Sequence, residues 1–86
     1  MDSKTFQKIW ESAQDNQIIT IMTANYVSQF AKSDFKYNIS DDCIYISKAN
    51  GSYKFICELV EVEVVIIRNE YTSLKGGFNN EITTRV

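Results

Sequence analysis

Cys43 and Cys57 are the only thiols in the chain, and there is no histidine to act as their base. A cysteine nucleophile works as the thiolate, which needs a neighbouring base or cation. Cys43 lies instead among Asp41, Asp42 and Glu58, carboxylates that keep a thiol protonated. The carboxylates themselves fall into two pairs. Asp41-Asp42 reads as a tight turn, because aspartate tolerates left-handed backbone and bonds its own main chain. Glu61 and Glu63 alternate with valines, as on the polar side of a strand, and no EF-hand spacing accompanies them. Two-carboxylate glycoside chemistry would also need a cleft that 86 residues hardly offer. Ser73-Leu74-Lys75-Gly76-Gly77 lacks the residue order of a phosphate loop and reads as a flexible turn. Without histidine the commonest metal ligand is missing too. The sequence therefore predicts no catalytic residue, no metal site and no cofactor.

Binding chemistry has more to work with. Lys32, Lys36, Lys48 and Lys54 are interspersed with Tyr26, Tyr45 and Tyr53, the residue types that track a phosphate backbone and stack on unpaired bases. Tyr45, Lys48 and Lys54 are the candidates for such a surface. Against it stand nine Lys and Arg facing eleven Asp and Glu, a net charge of −2. That balance sets up no field that would draw in a polyanion. Protein binding is the stronger expectation, with Ile56, Val65 and Ile67 as candidate contact residues.

These residues must be positioned by one small domain spanning residues 1–86. Hydrophobic residues make up 44% and charged residues 23%, a globular rather than a disordered balance. The opening residues MDSKTFQKIW do not read as a secretory leader. The longest purely apolar run, Val64–Ile67, is far shorter than a membrane span. A cytoplasmic location is the expectation, and the proline-free composition matches a low-GC bacterium or its phage.

A helix over about residues 3–15 is predicted first, with Asp2 or Ser3 as N-cap. Phe6, Ile9, Trp10 and Ala13 recur at helical spacing and form one apolar stripe. Ile, Val and Thr then concentrate beyond position 17 and make residues 17–67 rich in strands. Ile18–Thr23 is apolar on both faces, and Val27–Phe30 opens the next segment. Asn50-Gly51 reads as a type I′ hairpin turn, which pairs residues whose numbers sum to 101. Asp41-Asp42 pairs residues summing to 83. Both turns put Ile44 and Ile46 on the same face, so they predict a three-stranded meander. Its core side holds Phe35, Tyr37, Ile39, Ile44, Ile46, Tyr53, Phe55 and Cys57, while Lys36, Asn38 and Ser40 point outward. Cys43 and Cys57 then face opposite sides of the sheet and are expected to be free thiols.

In Val60–Ile67, Val60, Val62, Val64 and Ile66 read as one row. Val65 and Ile67 read as a second row, on an outer face covered by the helix or a partner. Residues 68–86 are expected to be a flexible C-terminal segment, with Glu81–Val86 as a possible edge strand.

The fold class expected is α+β, mainly β: an N-terminal helix followed by a five-stranded antiparallel bent sheet or barrel. In order and spacing, Ser3–Ile67 resembles the Sm-like and SH3-like small barrels. The features that carry this are the helix, the apolar first strand, the meander with its Asn-Gly turn, and the FICELVEVEVVII stretch. Glu58-Leu59-Val60 stands where that family has a short turn between its last two strands. Val27-Ser28-Gln29 replaces the family's glycine early in the second strand, and its basic RNA-contacting signature has no counterpart. The resemblance therefore implies architecture, and transfers no functional residue. A regulatory or interaction module that binds another protein, and that forms a homodimer or small oligomer, is the expected function. Single-stranded RNA or DNA binding is the alternative.

Overall fold

The computed structural model describes residues 1–71 of the chain. The helix α1 spans Ser3–Ser12. Asp2 caps it by accepting the Thr5 N–H at 2.8 Å, which satisfies one of the free donors of the first turn. The helix stops short of the expected Asp15 because Ala13 is already extended, with its N–H donating to the Trp10 carbonyl. The Ala13 carbonyl accepts from the Lys32 ammonium at 2.8 Å, a cation at the negative end of the helix dipole. Lys32 is thereby engaged with the helix terminus rather than with a basic surface.

Among the described residues six strands follow: β1 Ile18–Met22, β2 Val27–Ala31, β3 Phe35–Ser40, β4 Cys43–Lys48, β5 Lys54–Glu58 and β6 Val64–Arg68. They form two three-stranded antiparallel sheets, ordered β2-β1-β6 and β3-β4-β5. The expected single five-stranded sheet or barrel is corrected accordingly, and the strands of the described residues close no barrel. The change of sheet falls between Lys32 and Asp34. The Lys32 N–H still bonds Gln17 of the first sheet at 3.0 Å, whereas the Asp34 carbonyl already accepts from Ala49 of the second at 3.0 Å. A turn closed by the Asp34 N–H on the Ala31 carbonyl separates the two ladders.

The meander β3-β4-β5 has the registers expected, with Ile39 opposite Ile44, Ile44 opposite Cys57 and Ile46 opposite Phe55. Of its two turns, the one at Asp41-Asp42 is the tight left-handed turn expected, and the one at Asn50-Gly51 differs in type. Asp41 and Asp42 both have positive φ, 52° and 62°, as a two-residue type I′ turn requires. At the other turn only Gly51 has positive φ, 80°. There the loop is longer: the Lys48 N–H reaches the Tyr53 carbonyl, and the Gly51 N–H returns to the Lys48 carbonyl. A four-residue loop and a two-residue loop centred on Asn50-Gly51 give the same register, so the pairing survives the change of turn.

The core lies between the helix and the inner faces of both sheets. Phe6 and Trp10 meet Ile19, Ile21 and Phe30 of the first sheet and Ile44, Ile46 and Cys57 of the second. Phe30 is the hinge of this packing. Its ring lies 5.1 Å from Phe35, 5.2 Å from Phe55 and 6.4 Å from Trp10, centroid to centroid, within the range of favourable aromatic pairs. Of the residues expected on the core side of the meander, Tyr53 is the outlier at 45% exposed, although its ring still meets Phe35 edge-on.

The first strand is buried on both faces, as its composition predicts, from Ile18 to Ile21. One polar group pays for that position: the Thr20 hydroxyl oxygen is buried and has no hydrogen-bond partner among the described residues.

Candidate functional site

The outer face of the second sheet is built by period-two alternation in its three strands. Register lines up Lys36, Ser47 and Lys54 in one row, then Asn38, Tyr45 and Ile56, then Ser40, Cys43 and Glu58. Ile56 is 60% exposed, and Tyr45 opposite it is 39% exposed. An apolar branched side chain and an aromatic ring thus stand together on an open face, flanked by two lysines on one side and a glutamate on the other.

The backbone at this edge is also open. Because the Lys48 N–H bonds the Tyr53 carbonyl, alternation turns the peptide groups of residues 53, 55 and 57 toward β4. Those of Lys54 and Ile56 point away from the sheet. No strand pairs with β5 on that side among the described residues.

The candidate nucleic-acid residues do not all meet. Tyr45 and Lys54 share the outer face, with Lys36 across the sheet. Lys48 lies on the opposite face, since it pairs with Phe35 and holds its ammonium 6.0 Å from that ring. An even position on β4 belongs to the core side, so the proposed trio of Tyr45, Lys48 and Lys54 is divided by the pleat itself. Tyr26, 65% exposed, stands in the turn between β1 and β2, beside Val60 and Glu61.

Val65 and Ile67 are also relocated. Register sets Val65 opposite Ile21 and Ile67 opposite Ile19, and both pack half-buried against the core. The outward row is Val64 and Ile66, alongside Met22 and Thr20 of β1. The short turn expected at Glu58-Leu59-Val60 lies just upstream and falls one residue later. Leu59–Glu61 forms one turn of 3-10 helix, with the Glu58 N–H donating to Glu61 Oε1 at 3.3 Å. That turn buries Leu59 and Val62 and leaves Val60 78% exposed. The strand therefore starts only at Val64, with the two expected rows kept and their faces exchanged. Beside the turn, Val60, Glu61, Glu63 and Tyr26 line a cleft of about 280 Å³.

The thiols are free, with Cys43 opposite Glu58 and Cys57 buried opposite Ile44. Burial, reinforced by the Glu61 carboxylate, pushes the Cys57 thiol up to about 11, and its Sγ donates to the Glu58 carbonyl at 3.3 Å. A thiol so placed is protonated at neutral pH and is a poor nucleophile. The Tyr37 hydroxyl is likewise raised, by burial and by the Glu11 carboxylate to which it donates at 3.0 Å. The serine-and-glycine loop at Ser73–Gly77 and the candidate strand at Glu81–Val86 lie outside the described residues. No described helix is long and apolar enough to cross a membrane.

No family model, no curated protein and no solved structure matches this chain.

Proposed function

We propose that this chain is a non-enzymatic interaction module that binds another protein through the outer face and free edge of β5. The observation that carries the reading is Ile56, 60% exposed beside Tyr45 on a strand that has no neighbour on its outer side among the described residues. An extended partner segment added along such an edge gains main-chain hydrogen bonds, and alternate side chains supply specificity. The Tyr45 and Ile56 side chains are the apolar anchor, and Lys36, Lys54 and Glu58 form its polar rim, the usual division of an interface. A regulatory role exercised in the cytoplasm fits such a module.

A second reading rests on the row Lys36-Ser47-Lys54 next to Tyr45, two cations bordering one stacking ring, which suits a short single-stranded nucleic acid.

One experiment separates the two. Wild-type protein and the Ile56→Lys variant are cross-linked in lysate with and without nuclease, and bound protein and nucleic acid are quantified. A protein cross-link that survives nuclease and drops at least about tenfold in Ile56→Lys supports the module, as expected for losing an interface anchor. Material that vanishes with nuclease, with binding that falls steeply in salt, supports the second reading instead. A protein cross-link indifferent to Ile56→Lys removes the β5 face from consideration.

A further inference from the structure

The two sheets offer four outer edges, and one differs in chemistry from the rest. Strand β3 carries Lys36 and β5 carries Lys54 and Glu58, the charges by which natural edges resist adventitious pairing. Strand β2 interposes Ser28 and Gln29. Strand β6 has no polar side chain from Val64 through Ile67: Val-Val-Ile-Ile, four β-branched or branched apolar residues in sequence. No strand pairs with its outer edge among the described residues.

The backbone of that edge has a definite pattern. On β1 the peptide groups of Gln17 and Thr23 bond the β2 side, the Lys32 N–H reaching Gln17 and the Thr23 N–H reaching Tyr26. Alternation then turns those of Ile18, Thr20 and Met22 toward β6, where they meet Arg68, Ile66 and Val64. The peptide groups of Val65 and Ile67 are therefore the ones that point outward. Their side chains face the core, while Val64 and Ile66 lie on the outer face, Val64 at 42% exposed.

From this arrangement we infer that β6 is a homodimerisation strand that pairs antiparallel with β6 of a second copy, joining two three-stranded sheets into one of six. A two-fold axis through Ile66 matches Val65 with Ile67 of the second copy and Ile67 with its Val65. Every outward N–H and C=O of the strand is then used. Neighbouring registers serve less well. A shift in one direction calls on Glu63, whose N–H is already given to the Met22 carbonyl at 2.8 Å. A shift in the other calls on Asn69, beyond the end of the strand. The axis also sets Ile66 against its own copy and brings each Arg68 beside the end of the strand that follows Glu63. Antiparallel pairing therefore places opposite charges together at both ends, whereas parallel pairing would stack like charges. A strand complementary to itself in hydrogen bonding, side-chain shape and terminal charge is what a two-fold interface requires. This inference names one occupant of one edge and leaves the β5 face to its own partner, so either reading stands or falls without the other.

Ile66→Lys and Ile66→Glu test it, because the two-fold axis sets residue 66 against itself. In sedimentation, the wild type dimerises, each variant alone associates about 100-fold more weakly, and an equimolar mixture regains dimer as heterodimer. Circular dichroism establishes that the variants are folded. If they are not, amide exchange on the wild type decides. Slower exchange at Val65 and Ile67 that grows with protein concentration supports the inference. Protection independent of concentration, as from a segment of the same chain lying on the edge, overturns it. So do fast exchange at every concentration, a wild type that stays monomeric, and a mixture that fails to regain dimer.

Discussion

The two sheets are of equal size and were assembled in different ways. The meander β3-β4-β5 joins neighbours in sequence through two short loops, and its register follows from where those loops are centred. The sheet β2-β1-β6 has one local connection. Its other ladder pairs Met22 with Val64 and Ile18 with Arg68, across the whole of the meander. Tight turns make register a local property, and a pairing between distant segments makes it a property of the finished fold. The meander also keeps charges on its outer face, whereas the other sheet carries an apolar row at Val64 and Ile66 and an unpartnered hydroxyl in its centre. The candidate partner surface lies on the first kind of sheet and the candidate self-association edge on the second.

The sharpest way to break this comparison is at Phe30, the side chain through which the sheets meet. Phe30→Ala should cost about 3–5 kcal/mol, read as the midpoint of denaturant unfolding. Loss of amide protection in both sheets together is the expected accompaniment. Persisting protection in the meander alone would show that the two sheets are stable units independent of this contact.

A smaller effect of opposite sign is expected within the first sheet. Thr20→Val replaces a buried, unpartnered hydroxyl with a methyl group of the same shape. It should stabilise the protein by about 1 kcal/mol, and a lowered thermal midpoint would show that the hydroxyl has a role that the packing does not display.

A third effect belongs to the meander and is read through pH. The Cys57 thiol ionises near 9.0 when unfolded and is raised to about 11 in the fold. A raised pKa means that the folded state holds its proton longer. The contribution is fully present below pH 9 and is lost as pH rises from about 9 to 11. Other groups titrate there, so the measurement is the difference between wild type and Cys57→Ala in unfolding free energy. That difference should shrink across this window, and a constant difference would place Cys57 in a more solvated setting.

What could be seen in advance follows the same division. The helix stripe of Phe6, Trp10 and Ala13, the outward Lys36, Asn38 and Ser40 and the opposite orientation of the two cysteines all rest on short-range periodicity. So does Ile56, whose exposure follows from pairing with Tyr45 on the outer face. Lys48 shares with Tyr45 and Lys54 only nearness in sequence, since its even position on β4 puts it on the other side. Val65 and Ile67 depart from expectation for a different reason. A short turn is expected at Glu58-Leu59-Val60 and is found one residue later, at Leu59–Glu61, but a turn in the sequence does not say which of the two apolar rows after it meets the core.

The sequence by itself determined the helix and its buried face, the meander and its register, and the outward exposure of Ile56 and Tyr45. Each depends on contacts between residues near one another in the chain, where backbone geometry permits few solutions. Only the tertiary structure decided that the strands divide into two sheets, that β6 returns to β1, and that Val64 and Ile66 face outward while Val65 and Ile67 face the core. Those outcomes depend on which distant segment completes the β1 ladder. A strand that is apolar on both faces could satisfy its own propensity in either orientation, so the choice fell to the packing of Ile19 and Ile21 against it.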